Sequence, residues 1–309
     1  MINSFPYFFP IAILCVDDDK DVVMTTLHKF KKLLPGRKVV GVHSGEEALV
    51  SIKENPFQFS LASMRNKYKN CKLSGETGVG QCPDQTLDAI QNFASEFGIV
   101  VLDYDMKEMN GLDLASRVYC VGKILLTGEA TQAQALNAFN AGIIDRFVQK
   151  DMFKATDVVA GYITSLEEDF FANINTEFAE MYGDDLRFLN QKNVCAKLTE
   201  LCIELQAKLV GPSFDPPGLV IQSSKGDKII LMVVDEIDIE VQLSITEEDI
   251  DPLARKKMED RKIIYYRKSD QPKLHSLRKA DESNGVYHLT QLTPGFFTSV
   301  IRLIVGDAE

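Results

Sequence analysis

Short, almost wholly apolar runs recur along the first half of the chain, each followed by a stretch whose apolar positions fall three or four residues apart. Runs of this kind are strands covered on both faces, and the stretches between them are amphipathic helices. The spacing predicts strands at Ile11 to Val16, Lys38 to His43, Gly98 to Leu102, Lys123 to Leu126 and Arg146 to Val148. Helices are expected over Asp21 to Leu34, Gly45 to Glu54, Asp113 to Val118 and Gln132 to Asn140, with Ser44 capping the second and Pro35 with Gly36 stopping the first. Strands alternating with helices in this way predict an α/β domain, a doubly wound five-stranded parallel sheet, over residues 1–153. One gap, Asn55 to Phe97, is longer than such a fold needs and reads as an insertion at about 55–97, a functional or disordered loop.

Beyond Lys150 the pattern changes. Val159, Ile163, Leu166, Phe170, Ile174, Phe178 and Met181 form one long helical stripe, and Val194, Leu198, Leu201, Leu205 and Leu209 form a second. The first turns of the long stripe fit an ordinary final helix packed on the sheet. Past Glu168 it outruns the sheet, which favours a dimerisation or signalling helix, so residues 154–210 read as a helical linker. Gly211, Pro212, Pro216, Pro217 and Gly218 then break the helical pattern. Strand-like runs follow at Leu219 to Gln222, Lys228 to Val234, Ile239 to Ile245 and Ile263 to Arg267, with a helix from about Glu248 to Arg261 and an apolar stretch from Phe296 to Val305. This is a second α+β domain, over 211–309.

A chain of 309 residues accommodates two domains of ordinary size. The formal net charge of -11 raises the cost of approaching nucleic acid or an acidic membrane. Ile2 to Val16 is apolar, but Pro6 and Pro10 interrupt it and no basic residue precedes it, so it reads as a lead-in and first strand, not as a signal or membrane helix; a cytoplasmic protein is expected. Cys15, Cys71, Cys82, Cys120, Cys195 and Cys202 form no C-x-x-C pair, which predicts buried, reduced thiols; only Cys71 and Cys82, in a polar segment, leave a bridge open.

The candidate chemistry lies where ligand sites form in a doubly wound fold, beyond the carboxyl ends of the strands. Asp17 and Asp18 follow the first strand, Asp103 the third, Thr127 the fourth and Lys150 the fifth. Three carboxylates in one cleft repel one another, and a hard divalent cation such as Mg²⁺ relieves that repulsion, leaving Asp103 ionised and nucleophilic. An ammonium and a hydroxyl beside them match the charge on the equatorial oxygens of a transferring phosphoryl group. Asp19 and Asp21 are better read as first-turn acids of the helix that follows.

The segment Ile11 to Lys150 resembles a response-regulator receiver domain of two-component signalling, with the flavodoxin-like fold. The run Val100-Val101-Leu102-Asp103-Tyr104-Asp105-Met106-Lys107-Glu108-Met109-Asn110-Gly111 is similar to the family's acceptor motif in its strand, its acid, the Met and the closing Asn-Gly. The resemblance implies a phosphorelay protein in which Asp103 is the phosphoacceptor. Asp18 and Asp103 would ligate Mg²⁺ directly, Asp105 would ligate it through its backbone carbonyl, and Asp17 through water. Thr127 and Lys150 would engage the phosphoryl oxygens, and Phe147 would be the switch aromatic. It further implies a sensor histidine kinase or phosphotransfer protein as partner, and a homodimer formed on phosphorylation.

Lys107 stands where the family usually has Pro, Gly128 replaces a small side chain, and Asp151 replaces the Pro that follows the Lys in a cis peptide. A cis bond before a non-proline residue costs about 3 kcal/mol, so a trans bond that aims Lys150 differently is expected. Two readings stay open: a phosphorylated receiver, and a pseudo-receiver scaffold that signals without phosphate. The insertion should lie on the face away from Asp103, and its Gly75-x-x-Gly78-x-Gly80 run lacks the Lys-Ser or Lys-Thr of a phosphate loop. After Gly211 no DNA-reading or output-enzyme motif is recognisable. Arg255, Lys256, Lys257, Arg261, Lys262, Arg267, Lys268, Lys273, Arg278 and Lys279, with Tyr265 and Tyr266 among them, form a basic stretch that is either a nucleic-acid surface or, as favoured, a solvated face balanced by acids. His275 and His288 are too isolated to assign.

Overall fold

The computed structural model describes residues 6–61, 81–128, 132–214, 216–245, 250–265 and 286–303. The chain divides into two compact units, one of residues 9–60 and 91–173, the other of residues 1–8, 61–90 and 174–309.

In the first unit the strands are β1 (Ala12–Val16), β2 (Val39–Val42), β3 (Phe97–Leu102), β4 (Gly122–Thr127) and β5 (Arg146–Gln149). They form one parallel sheet in the order β2-β1-β3-β4-β5. Every residue of β1 and β3 is buried, as central strands covered on both faces require. Helices α1 (Lys20–Leu33), α2 (Gly45–Glu54), α4 (Gly111–Arg117) and α5 (Gln132–Asn140) connect them; in chain order α3 (Gln81–Phe93) comes between α2 and β3, its residues 81–90 belonging to the second unit, and α6 (Ala155–Tyr182) follows β5, its residues 174–182 belonging to the second unit. Leu14, Val100, Leu102, Leu114 and Leu125 are fully buried in the core between β1, β3, β4 and α4. The expected five-stranded flavodoxin-like sheet is therefore present, while the long gap contains a helix, α3. Gly75, Gly78, Gly80, Cys71 and the lysines of that gap lie outside the described residues, as does the side chain of Cys82.

Glu167 on α6 is buried beneath the start of β1. Its carboxylate accepts from the backbone N–H of Ile11 at 3.0 Å and from Nε of Arg37 at 3.0 Å, and pairs with the second guanidinium nitrogen of Arg37. Arg37→Met would leave that charge uncompensated, and denaturant unfolding is expected to show a loss of about 3 kcal/mol, largely recovered when Glu167→Leu is added.

The long stripe of α6 finds its partners within the chain. Val159 and Ile163 are fully buried, and Phe170 meets Phe57 and Phe59 edge-on at 5.6 and 5.9 Å between ring centroids. Further along, Phe178 is fully buried against Tyr7 and Phe214, and Asn175 accepts from the N–H of Tyr7 while donating to its carbonyl. Of the seven stripe residues Met181 alone is largely exposed, so the reason to expect a bare signalling face past Glu168 disappears. Apart from Phe214, these partners come from residues 7–9 and 55–59, whose sequence carries no periodic signal.

The second unit has a short 3₁₀ turn (Arg187–Asn190), α7 (Lys192–Glu204), β6 (Ala207–Phe214), β7 (Pro217–Ser223), β8 (Lys228–Asp235), α8 (Glu236–Ile245), α9 (Pro252–Glu259), β9 (Ile263–Tyr265), β10 (Val286–His288), β11 (Thr290–Thr293) and β12 (Phe296–Leu303). Its main sheet is antiparallel, ordered β11-β12-β8-β7-β6, and β9 pairs with β10 apart from it. Leu209, Gly211 and Pro212 lie inside β6 instead of ending a helix; the edge position of β6 tolerates the proline.

Residues 239–245 are helix, not the expected strand. The alternation Ile237, Ile239, Val241, Leu243 imitates a strand, but Asp235 and Asp238 cap one another directly after β8: the N–H of Asp238 donates to Asp235 Oδ1 and the N–H of Asp235 to Asp238 Oδ2, both at 2.9 Å. That reciprocal cap starts a helix. As a result Ile239 is buried while Ile237 and Val241 stay exposed.

Candidate functional site

In a sheet ordered β2-β1-β3-β4-β5 the chain leaves β1 and β3 toward opposite sides, opening a crevice beyond their carboxyl ends. Asp17 and Asp18 follow β1 there, and Asp103 follows β3. One carboxylate oxygen from each lies within 4.8 Å of the others, the sole such metal-compatible group among the described residues. Asp17 and Asp103 are each 7% exposed and Asp18 is intermediate, so at least two of the three charges sit away from bulk water.

Local chemistry holds these side chains. The N–H of Asp103 donates to the carbonyl of Val16 at 2.8 Å, which ties the two strand ends together. Asp17 Oδ1 accepts from the N–H of Asp19 at 2.9 Å. Asp19 is the cap of α1, accepting from the N–H groups of Asp21 and Val22, and neither Asp19 nor Asp21 joins the carboxylate group. Asn110 caps α4 by accepting from the N–H of Asp113 at 2.8 Å. At Gly111 an added Cβ would stand 2.1 Å from the carbonyl oxygen of Asp103. Gly111→Ala must therefore move the backbone of Asp103 itself; a fall of about 2–3 kcal/mol in stability is expected on thermal unfolding, together with a lost or weakened response to a phosphoryl mimic.

Lys150, in the turn after β5, reaches the group: its ammonium lies 2.6 Å from Asp17 Oδ2 and 3.1 Å from Asp103 Oδ1. The replacement of proline by Asp151 leaves this lysine aimed at the carboxylates. Lys107 stands 3.7 Å from Asp18 Oδ2 but is 86% exposed, so that pair contributes little. Burial raises the pKa of Asp103, Lys150 opposes the rise, and the charge of Asp17 adds to it. Burial pulls the Lys150 ammonium down, but its hydrogen bond to Asp17 and the charges of Asp103 and Asp17 outweigh burial and raise its pKa.

Three carboxylates against one ammonium leave two net negative charges in a largely desolvated crevice. An all-oxygen donor set with that deficit fits a hard divalent cation such as Mg²⁺. Asp105 is exposed on the loop after β3, and its side chain is outside the carboxylate group. Thr127 ends β4, paired in register with Gln149, one residue before Lys150; its side chain lies outside the described residues. Phe147, on β5, packs half-buried against the core.

Burial pushes the thiols of Cys15, Cys120 and Cys202 up to about 12 and that of Cys195 to about 11, which makes them inert. The basic stretch is described to Tyr265 only, with the side chain of Tyr265 excluded; Arg267, Lys268, Lys273, Arg278, Lys279, Tyr266 and His275 lie beyond. Within the described part Arg255 pairs with Glu259, Arg261 with Glu236 and Glu240, and Lys262 with Asp260. Sequence reasoning missed the Arg187 network, in which the guanidinium binds Asp235 at 2.5 and 2.8 Å and Asp238 at 2.5 Å; an isolated arginine carries no signal of such a partner. His288 is exposed on β10. No helix among the described residues is long and apolar enough to cross a membrane.

No protein-family model and no curated protein matches the sequence. Solved structures do. The Legionella pneumophila response regulator LqsR superposes with a TM-score of 0.67 at 20% identity, over 99% of this chain and 92% of that one. A Francisella response regulator receiver domain (TM-score 0.34, 15% identity) covers 52% of this chain and 99% of its own. The Vibrio cholerae chemotaxis protein CheY4 (TM-score 0.33, 13% identity) covers 51% and 98%. The N-terminal half of the chain thus has the fold of a response-regulator receiver domain, and a second domain built on an antiparallel sheet follows it.

Proposed function

We propose that the chain is a two-component response regulator whose receiver takes a phosphoryl group onto Asp103 from a phosphohistidine of a sensor histidine kinase or phosphotransfer protein. The observation that carries this reading is the placement of Lys150 between Asp17 and Asp103 at the crevice of the sheet. A carboxylate oxygen of Asp103 attacks the phosphorus in line, the phosphorus–nitrogen bond breaks, and the donor imidazole leaves with the electron pair and takes up a proton. Lys150 and the hydroxyl of Thr127 hold phosphoryl oxygens as the transfer proceeds. Asp17, Asp18 and Asp103, with the backbone carbonyl of Asp105, would hold Mg²⁺. When bound, Mg²⁺ supplies neutralisation of the carboxylates and of the developing phosphoryl charge.

Phosphorylation would draw Thr127 toward the phosphate and let Phe147 repack, altering the face of α5 and the loop after β5. That face carries Leu136, Phe139, Met152 and Phe153, exposed by 48, 43, 51 and 83%, which is apolar surface that pairing of two receivers would cover. The second domain would receive the change as the output module. With Mg²⁺ and beryllofluoride, a mimic of the acyl phosphate, light scattering should show the mass of the full chain doubling, and only while the metal is present. An unchanged mass with no heat of binding in calorimetry would sink the phosphorelay reading in favour of a phosphate-independent scaffold.

A further inference from the structure

A second concavity in the first unit has no part in phosphorylation. It lies near the amino ends of the strands, where Pro56 bridges to Phe97 at the start of β3 and Tyr119 to Val121 lead into β4. Asp103 stands at the other end of β3, six residues and roughly 20 Å away. The concavity has a volume of about 280 Å³, and Phe57, Phe59, Tyr119 and Phe170 supply its aromatic wall. Phe57 and Phe59 are fixed by their edge-on contacts with Phe170, so that part of the wall is preformed.

Tyr119 is different: it lines the concavity while 88% exposed, a large ring left in water. Asp169, one turn beyond Leu166 on α6, supplies a carboxylate to the lining. Among the described residues no lysine, arginine or histidine lines the site, and the thiol of Cys120 is held neutral by burial. Within that described lining, a carboxylate beside several aromatic rings disfavours anions and attracts cations, because the ring faces carry negative potential.

We propose that this concavity, lined by Phe57, Phe59, Tyr119, Asp169 and Phe170, is a binding site for a small organic cation, an alkyl- or aryl-ammonium compound, whose apolar part packs on the rings while its charge faces Asp169. The ligand would cover the exposed Tyr119 ring. The assignment is independent of the phosphorelay reading.

Benzyltrimethylammonium is a suitable probe, titrated into the full-length protein by calorimetry beside benzyl alcohol as a neutral aromatic control. The cation is expected to bind with a dissociation constant at or below about 1 mM, and the alcohol at least about tenfold more weakly. Tyr119→Ala and Asp169→Asn should each weaken the cation about fivefold to tenfold; both side chains are exposed, so an unchanged melting temperature checks that folding is retained. No heat at several times that concentration would overturn the proposal. So would equal binding of cation and alcohol, which marks an apolar hollow only, or binding indifferent to both substitutions, which places the cation elsewhere.

Discussion

Asp103→Asn should take up no phosphoryl group when incubated with a small acyl phosphate and Mg²⁺, while the parent chain gains one, as read by intact mass. The carboxamide keeps the shape of the side chain and the backbone tie from Asp103 to Val16, but it offers no anionic oxygen, and covalent transfer requires one. A fall of at least about 10³ in initial rate is expected, since the substitution removes the nucleophile and not merely a stabilising contact. The loss should not reflect unfolding. Burial already disfavours the Asp103 charge, so the neutral variant is expected to melt no lower than the parent in metal-free buffer. Phosphoryl uptake that persists in Asp103→Asn at the parent rate would mean that another side chain is the acceptor.

The site was legible in the sequence because a parallel sheet converts position along the chain into position in space. The all-apolar strands β1 and β3 are central, so whatever follows them is adjacent in the crevice, and Asp17, Asp18 and Asp103 are what follow. Lys150 needed only the same rule applied to β5. Periodicity alone located α6 and most of α7, but it failed at two other places. The alternation from Ile237 to Leu243 fits a strand, and the structure makes a helix there because Asp235 and Asp238 form a reciprocal cap, a feature of four residues that outweighs seven of pattern. Leu209 matched a helical stripe across Leu205, but α7 ends at Glu204 and the chain enters β6 through Gln206, whose φ of +53° is not helical. The aromatic partners of α6 were illegible for another reason: Tyr7, Phe57 and Phe59 lie in irregular segments, and only tertiary packing brings them to Phe178 and Phe170. The same packing creates the concavity beside Tyr119, which no motif announces.

Lys150→Met separates binding of a cation from phosphoryl transfer, because the two should respond in opposite directions. Among the described residues the ammonium is the one cation within 3.1 Å of both Asp17 and Asp103, and its loss leaves those two buried carboxylates with no counter-charge beside them. Both carboxylates are at most 10% exposed at the side chain, so without metal the variant should lose about 3 kcal/mol of stability, visible as a lower denaturation midpoint. Millimolar Mg²⁺ should restore most of that loss, since a bound divalent cation stabilises the folded state by mass action. Calorimetry should show Mg²⁺ binding at least as tightly as in the parent, because one positive charge that competed for the same oxygens is gone. Phosphoryl uptake should nevertheless fall about 10²-fold to 10³-fold, since the group that stabilises the charge of the transferring phosphoryl is absent however well the metal is held. If instead transfer and metal affinity both stay at parent levels, Lys150 is a structural counter-ion and the phosphoryl oxygens are held by other groups. If both fall together, its role is to shape the carboxylate site, and the assignment of Lys150 to the phosphoryl group fails.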